Sequence, residues 1–155
     1  MKFFLSLIFL FSTFAIFSNG WCATDSRAYC FKDLQVNFFN ENVVYQALSL
    51  YRIPQGLWAP ISQNLKIRSN QVPERMRKIT AAMVPNPLNY PMQNEIASKL
   101  LKQVLLDVFY ETMTKYQVNE RPTADFVFDY IFTQQLPKMI NCFGEDARKL
   151  APSFE

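Results

Sequence analysis

The sequence contains no histidine and only three glycines, and these shortages exclude several kinds of catalytic site. Without histidine the chain cannot form a histidine-dependent triad, a histidine general base or the usual histidine-bearing metal sites. After residue 20 the remaining glycines are Gly56 and Gly144, so there is no glycine-rich loop to bind phosphates. We therefore expect a non-enzymatic protein with no metal, no cofactor and no nucleotide.

Strong charge of either sign is also missing. The net charge is +3, from 16 Lys and Arg against 13 Asp and Glu, which is too small to indicate nucleic acid as a partner. The charge is unevenly distributed, because residues 21–92 carry eight basic and four acidic groups and residues 93–155 carry seven and nine. The sequence therefore predicts a basic first half and a mildly acidic second half.

The longest apolar run lies at the start of the sequence. It extends over residues 3–17, whereas a membrane-spanning helix needs about 20 residues. Lys2 precedes the run and Ser18, Asn19 and Gly20 follow it, a pattern typical of a cleaved secretory signal peptide. We predict a signal peptide over residues 1–20 and one domain over residues 21–155, with a retained N-terminal anchor helix as the alternative. The protein is then exported, either to a periplasm or out of the cell.

Three cysteines allow one intramolecular disulfide, and export favours its formation. A bond between Cys30 and Cys142 closes a loop of roughly 100 residues, worth about 4.7 kcal/mol in the chain-entropy model. A bond between Cys22 and Cys30 closes a short loop, which is worth about 3 kcal/mol or less. We predict the Cys30–Cys142 bond, with Cys22–Cys30 and no bond as the alternatives. Cys22 is then the odd thiol.

Apolar residues recur at helical spacing in most of the mature chain. The pattern predicts a helix capped by Asn40, another from Pro73, a long one from Asn94 to about Gln117, one starting near Pro122 and a short one over residues 145–151. Residues 57–72 and 125–133 also fit short strands, since Leu65 and Ile67 alternate, as do Phe126, Phe128, Tyr130 and Phe132. We choose helix for 125–133. The predicted fold class is all-α: a small single-domain bundle of about four to five helices with long irregular connectors.

Two proline positions interrupt this pattern. Pro137 should kink or break its helix, and the segment 84–91, with three prolines, should be an extended connector. Such a connector joins two helices or offers a docking strip to another protein.

The strongest candidate for a binding site is a basic cluster in the first half of the domain. It places five cations within 13 residues, opposed in that stretch by Glu74 alone: Lys66, Arg68, Arg75, Arg77 and Lys78. The cluster could meet an acidic face of a partner protein or an anionic membrane surface, or it could be an ordinary solvated helix face.

Two carboxylate pairs are four residues apart, Asp107 with Glu111 and Asp125 with Asp129. Each pair would share a helix face and could hold a cation or act as acid and base, but solvated polar faces explain them more simply. We assign no catalytic residue.

These observations favour an exported protein that acts through protein–protein interaction, as an accessory or structural subunit of an envelope assembly or as a secreted inhibitor or factor. The alternative is a small helical carrier whose Phe- and Met-rich interior encloses an apolar ligand.

Overall fold

The computed structural model describes residues 30, 32–35, 37–83, 94–118 and 120–152. Contacts divide the chain into two units, Met1–Asp33 and Leu34–Glu155. The described residues of the first unit are Cys30, Lys32 and Asp33, all helical. The predicted signal peptide, the odd thiol Cys22 and the proline connector lie outside the described residues.

Within its described ranges, the second unit contains five α-helices with defined bounds: α1 over Glu41–Leu50, α2 over Trp58–Ser69, α3 over Val72–Met83, α4 over Asn94–Lys115 and α5 over Arg121–Phe143. Two short 3-10 helices, Gln55–Leu57 and Glu145–Leu150, precede α2 and follow α5. No strand occurs in the described ranges, so the all-α prediction is confirmed. Both ambiguous segments are helical: 58–69 forms α2, and 125–133 lies within α5.

Local sequence explains most of the helix ends. The Asn40 side chain caps α1 by accepting a hydrogen bond from the backbone N–H of Asn42 at 3.0 Å. Glycine is scarce, so the left-handed positions that follow α1 and α4, two residues beyond each helix, are occupied by Arg52 and Gln117, with φ of 57° and 60°. Gly144, with φ of 82°, follows the last residue of α5 as its C-cap.

Pro137 lies inside α5, and the helix continues beyond it to Phe143. Of the two expected outcomes, a kink or a break, the break does not occur. Proline removes one N–H from the helical ladder. Met139 and Phe143 are buried beyond it, and this packing holds the last turns in helical form.

The core forms around α4, which packs against α2, α3, α5 and the second 3-10 helix. Helix α5 also packs against α1, and α1 against α2. Phenylalanine rings occupy the centre: Phe128 lies 5.5 Å from Phe109 and about 6 Å from Phe38 and Phe132, measured between ring centroids. These four side chains are fully buried.

Cys30 and Cys142 are disulfide-bonded cysteines, as predicted for this pair. In the described part of the chain, no helix is both long enough and apolar enough to cross a membrane.

Candidate functional site

The predicted basic cluster is spread over α2 and α3, and most of its charge is paired within the chain. Arg68 donates to Glu111 at 2.7 Å, and Arg75 donates to both oxygens of the same carboxylate at 2.6 and 2.8 Å. Arg77 and Lys78 pair with Glu74 on their own helix. The prediction counted only Glu74 as an opposing charge and missed Glu111, which lies on α4.

The two arginines on Glu111 form the more substantial part of this network. Hydrogen bonding to Arg75 lowers the pKa of Glu111, and the same bond raises the pKa of Arg75. These contacts join α2 and α3 to α4. In contrast, Arg77 and Lys78 are about 70% exposed, so their pairs with Glu74 contribute little to stability.

Lys66 behaves differently from the rest of the cluster. No ion pair involves it within the described residues, and it lies at a cleft of about 510 Å³ between α1, α2 and the residues before α1. We call this the polar cleft; its lining residues are Asn37, Phe39, Asn40, Glu41, Tyr45, Ala59, Ser62, Gln63 and Lys66. The cluster is therefore one exposed lysine beside a cleft, together with four paired cations.

The two carboxylate pairs are also engaged by neighbouring side chains. Asp107 accepts a hydrogen bond from Gln103, while Glu111 binds the two arginines. Burial raises the pKa of Asp129, which faces the half-buried Lys102. Across the described ranges, no three His, Cys, Asp or Glu side chains are grouped as a metal site would need.

Lys102 itself has a structural role. Its ammonium donates to the backbone carbonyl of Leu150 at 2.7 Å and lies 4.6 Å from the centre of the Phe132 ring. Burial lowers the pKa of Lys102. The hydrogen bond attaches the second 3-10 helix to α4, and the ring contact joins α4 to α5.

An exposed apolar surface lies where α1 and α5 meet, and the sequence analysis did not identify it. Leu50 is 60% exposed and Phe126 is 49% exposed. The Phe126 ring stacks on Tyr51 with centroids 5.8 Å apart and planes 9° apart. Residues two positions apart on a helix face different sides, so Phe126 and Phe128 cannot both point into the core. This spacing is the sequence signal that could have revealed an exposed phenylalanine.

A second cleft lies beside exposed Leu50, which is one of its lining residues. It has a volume of about 380 Å³, and its walls include Tyr45, Leu50, Trp58 and Tyr130. Tyr45 and Trp58 pack with ring centroids 5.9 Å apart. We give the name aromatic surface to the residues of the exposed patch and of this second cleft taken together: Tyr45, Leu50, Tyr51, Trp58, Phe126 and Tyr130.

Comparison of the chain with protein-family models, with curated proteins and with solved structures gave no match. The functional argument therefore rests on the residues and their geometry.

Proposed function

We propose that this is an exported, non-enzymatic protein that acts by binding another protein, as a subunit or accessory of an envelope assembly or as a secreted inhibitor or factor. The observation that carries the proposal is the aromatic surface. Exposed apolar patches of this kind mark interaction sites, and Tyr, Trp and Phe are enriched where proteins meet. The rings present a large contact area that loses little side-chain entropy on binding.

Export is the second part of the proposal. Its support is the signal-like pattern of residues 1–20 together with the disulfide-bonded cysteines, which are typical of oxidising compartments. The aromatic surface then faces partners outside the cytosol.

The basic cluster is a weaker candidate for the contact. Glu111 and Glu74 balance much of its charge, and the arginines on Glu111 are occupied in joining helices. A partner that used these arginines would first have to replace Glu111. The aromatic surface requires no such exchange.

The carrier alternative receives less support. The phenylalanines that could line a ligand cavity contact one another in the core, where Phe38, Phe109 and Phe128 are fully buried. The two clefts described above are open to the surface, whereas a carrier encloses most of its ligand.

Crosslinking in the native compartment tests the proposal. We compare the unaltered protein with the double variant Leu50→Ser, Phe126→Ser, and with the control variant Ile67→Ser, Ile96→Ser, which changes two other exposed apolar residues. Captured partners are identified by mass spectrometry. The aromatic-surface variant should lose capture of one defined partner by about tenfold or more, because central aromatic contacts dominate binding energy.

The control variant should retain that partner. Equal capture by all three proteins would contradict the proposed contact surface. A lipid or other small molecule retained by the purified protein in native mass spectrometry, with no protein captured, would favour the carrier.

A further inference from the structure

The polar cleft is formed by one face of α2, one face of α1 and the residues before α1. Its α2 residues follow the spacing of three and four positions that places side chains on one side of a helix: Ala59, Ser62, Gln63 and Lys66. Its α1 residues, Glu41 and Tyr45, are four positions apart and likewise share one side. Because α1 packs against α2, both sets of side chains line the same space.

One residue of this lining is a buried polar group that has no partner within the protein. Ser62 is only 7% exposed, yet no hydrogen bond to its hydroxyl occurs in the described part of the chain. Buried Ser69 and Ser98, in contrast, donate to backbone carbonyls of their own helices at 2.7 and 3.0 Å. Every fully buried side-chain N or O atom of the described residues has a hydrogen-bond partner, so the Ser62 oxygen reaches the cleft. Buried hydroxyls are normally bonded, and a ligand in the cleft would supply the bond that Ser62 lacks.

The other polar groups of the cleft offer donors and acceptors together. Gln63 is exposed, and no described residue forms a hydrogen bond with its amide. Asn40 accepts from the backbone N–H of Asn42 through its Oδ1, which leaves the N–H donors of its amide for a ligand. Hydrogen bonding to Glu41 raises the pKa of Tyr45, and the carboxylate retains further lone pairs. A ligand with both kinds of hydrogen-bonding group therefore fits this lining.

The charge of the cleft narrows the class of ligand. Glu41 and Lys66 line it together, so it favours neither an anion nor a cation. An apolar ligand would bury hydroxyl and amide groups without partners, which is unfavourable. A sugar is neutral, and each of its hydroxyls both donates and accepts a hydrogen bond. The ring of Phe39, which also lines the cleft, provides an apolar surface for the C–H groups of a sugar ring.

The size and the open side of the cleft agree with such a ligand. Its volume of about 510 Å³ lies within the range of about 300–1,000 Å³ that small-molecule pockets have. Water can bond to the sugar hydroxyls that point outward, so a hydroxyl-rich ligand does not need to be enclosed.

We propose that the polar cleft is a binding site for a small neutral saccharide, with Ser62 and Gln63 hydrogen-bonded to its hydroxyls and Phe39 against its ring. This site goes beyond the proposed function and does not depend on it. Leu50 and Phe126, the exposed residues of the proposed protein contact, do not line the polar cleft.

Titration followed by NMR tests the site. Glucose, galactose, N-acetylglucosamine and maltose are each added, up to tens of millimolar, to the purified ¹⁵N-labelled protein with its disulfide intact. At least one sugar should cause saturable shifts of the backbone N–H signals of Asn40 and Ser62 and of the side-chain amide of Gln63. We expect affinity in the millimolar range, as suits a ligand of few atoms. Alanine, a zwitterion, and glycerol, a polyol without a ring, should shift these signals weakly or not at all.

Two variants then locate the contact. Ser62→Ala and Gln63→Ala should each weaken binding of that sugar by about fivefold, the effect of one lost hydrogen bond. Ser62→Ala should leave the thermal unfolding temperature unchanged, because the hydroxyl that it removes has no bond within the described part of the chain. The matched control is Gln103→Ala, which removes an exposed glutamine on α4 outside the cleft and should leave the sugar affinity unchanged.

Three results would overturn the saccharide site. They are the absence of saturable shifts with all four sugars, equal sugar affinity of Ser62→Ala, Gln63→Ala and the unaltered protein, and tighter binding of alanine than of every sugar. The double variant Leu50→Ser, Phe126→Ser should bind the sugar as the unaltered protein does. Loss of partner capture in that variant and loss of sugar binding in the cleft variants are therefore separate outcomes.

Discussion

Replacement of Phe128 by alanine should destabilise the protein far more than the same change at Phe126, two residues earlier. Phe128 is 1% exposed and contacts three other phenylalanine rings, whereas Phe126 is 49% exposed and stacks on one tyrosine. A phenylalanine buries roughly 150–250 Å². At about 25 cal/mol per Å², this area corresponds to an upper bound of about 4–6 kcal/mol.

Measured core truncations of phenylalanine cost about 3–5 kcal/mol, so we expect a loss near 4 kcal/mol for Phe128→Ala. Phe126→Ala should lose less than about 1 kcal/mol, because much of its side chain is already in water. Urea unfolding followed by circular dichroism, with the disulfide intact, gives the free energy of unfolding of each variant.

The comparison also tests the register of α5. In a strand, residues 126 and 128 would face the same side and would respond alike. Similar losses at the two positions would refute the helical packing described here. If Phe128→Ala does not fold, Phe128→Leu serves the same purpose, with an expected loss of about 1–2 kcal/mol.

Two further predictions concern electrostatics and backbone strain. Glu111→Gln should lower the free energy of unfolding by about 1 kcal/mol at neutral pH, since its ion pairs with Arg68 and Arg75 are partly solvent-exposed. The folded-state pKa of Glu111 lies below its ordinary value of 4.5, so its contribution is present above that pH and is lost as the pH falls through the lowered pKa. Urea unfolding at pH 7 and in the acid range should show the two proteins converging below pH 4.5, and a constant gap would contradict the ion-pair explanation. Gln117→Gly should raise the free energy of unfolding by about 1 kcal/mol, because glycine adopts the left-handed backbone at the end of α4 without steric cost, and Gln117→Ala, as the control, should not stabilise.

The helical fold could be predicted because its signals are local. The Asn40 cap, the apolar spacing of α4 and the terminal Gly144 each act within a few residues, and all three occur in the structure. Segments with a short or mixed pattern could not be assigned from periodicity. In residues 58–69, Leu65 and Ile67 alternate as in a strand, yet Leu65 is buried and Ile67 is exposed on the helix α2.

The candidate site was harder to predict, because its residues meet only after folding. The basic residues are close together in sequence, but Glu111 is 36 positions from Arg75 and no local pattern links them. Similarly, Tyr51 directly follows α1 and Phe126 lies on α5, and their stacking depends on how α1 packs against α5.

The sequence by itself excluded sites built on histidine or on a glycine-rich loop, and it predicted the helical character of the segments. Absence of histidine and scarcity of glycine are properties of composition, and helical periodicity depends on neighbours three and four residues apart. Only the tertiary structure decided that Lys66 stands apart from the other cations and that exposed Leu50 and Phe126 lie among partly buried aromatic rings from α1, α2 and α5. These features depend on contacts between distant segments, which the packing of the core selects and which local sequence does not encode.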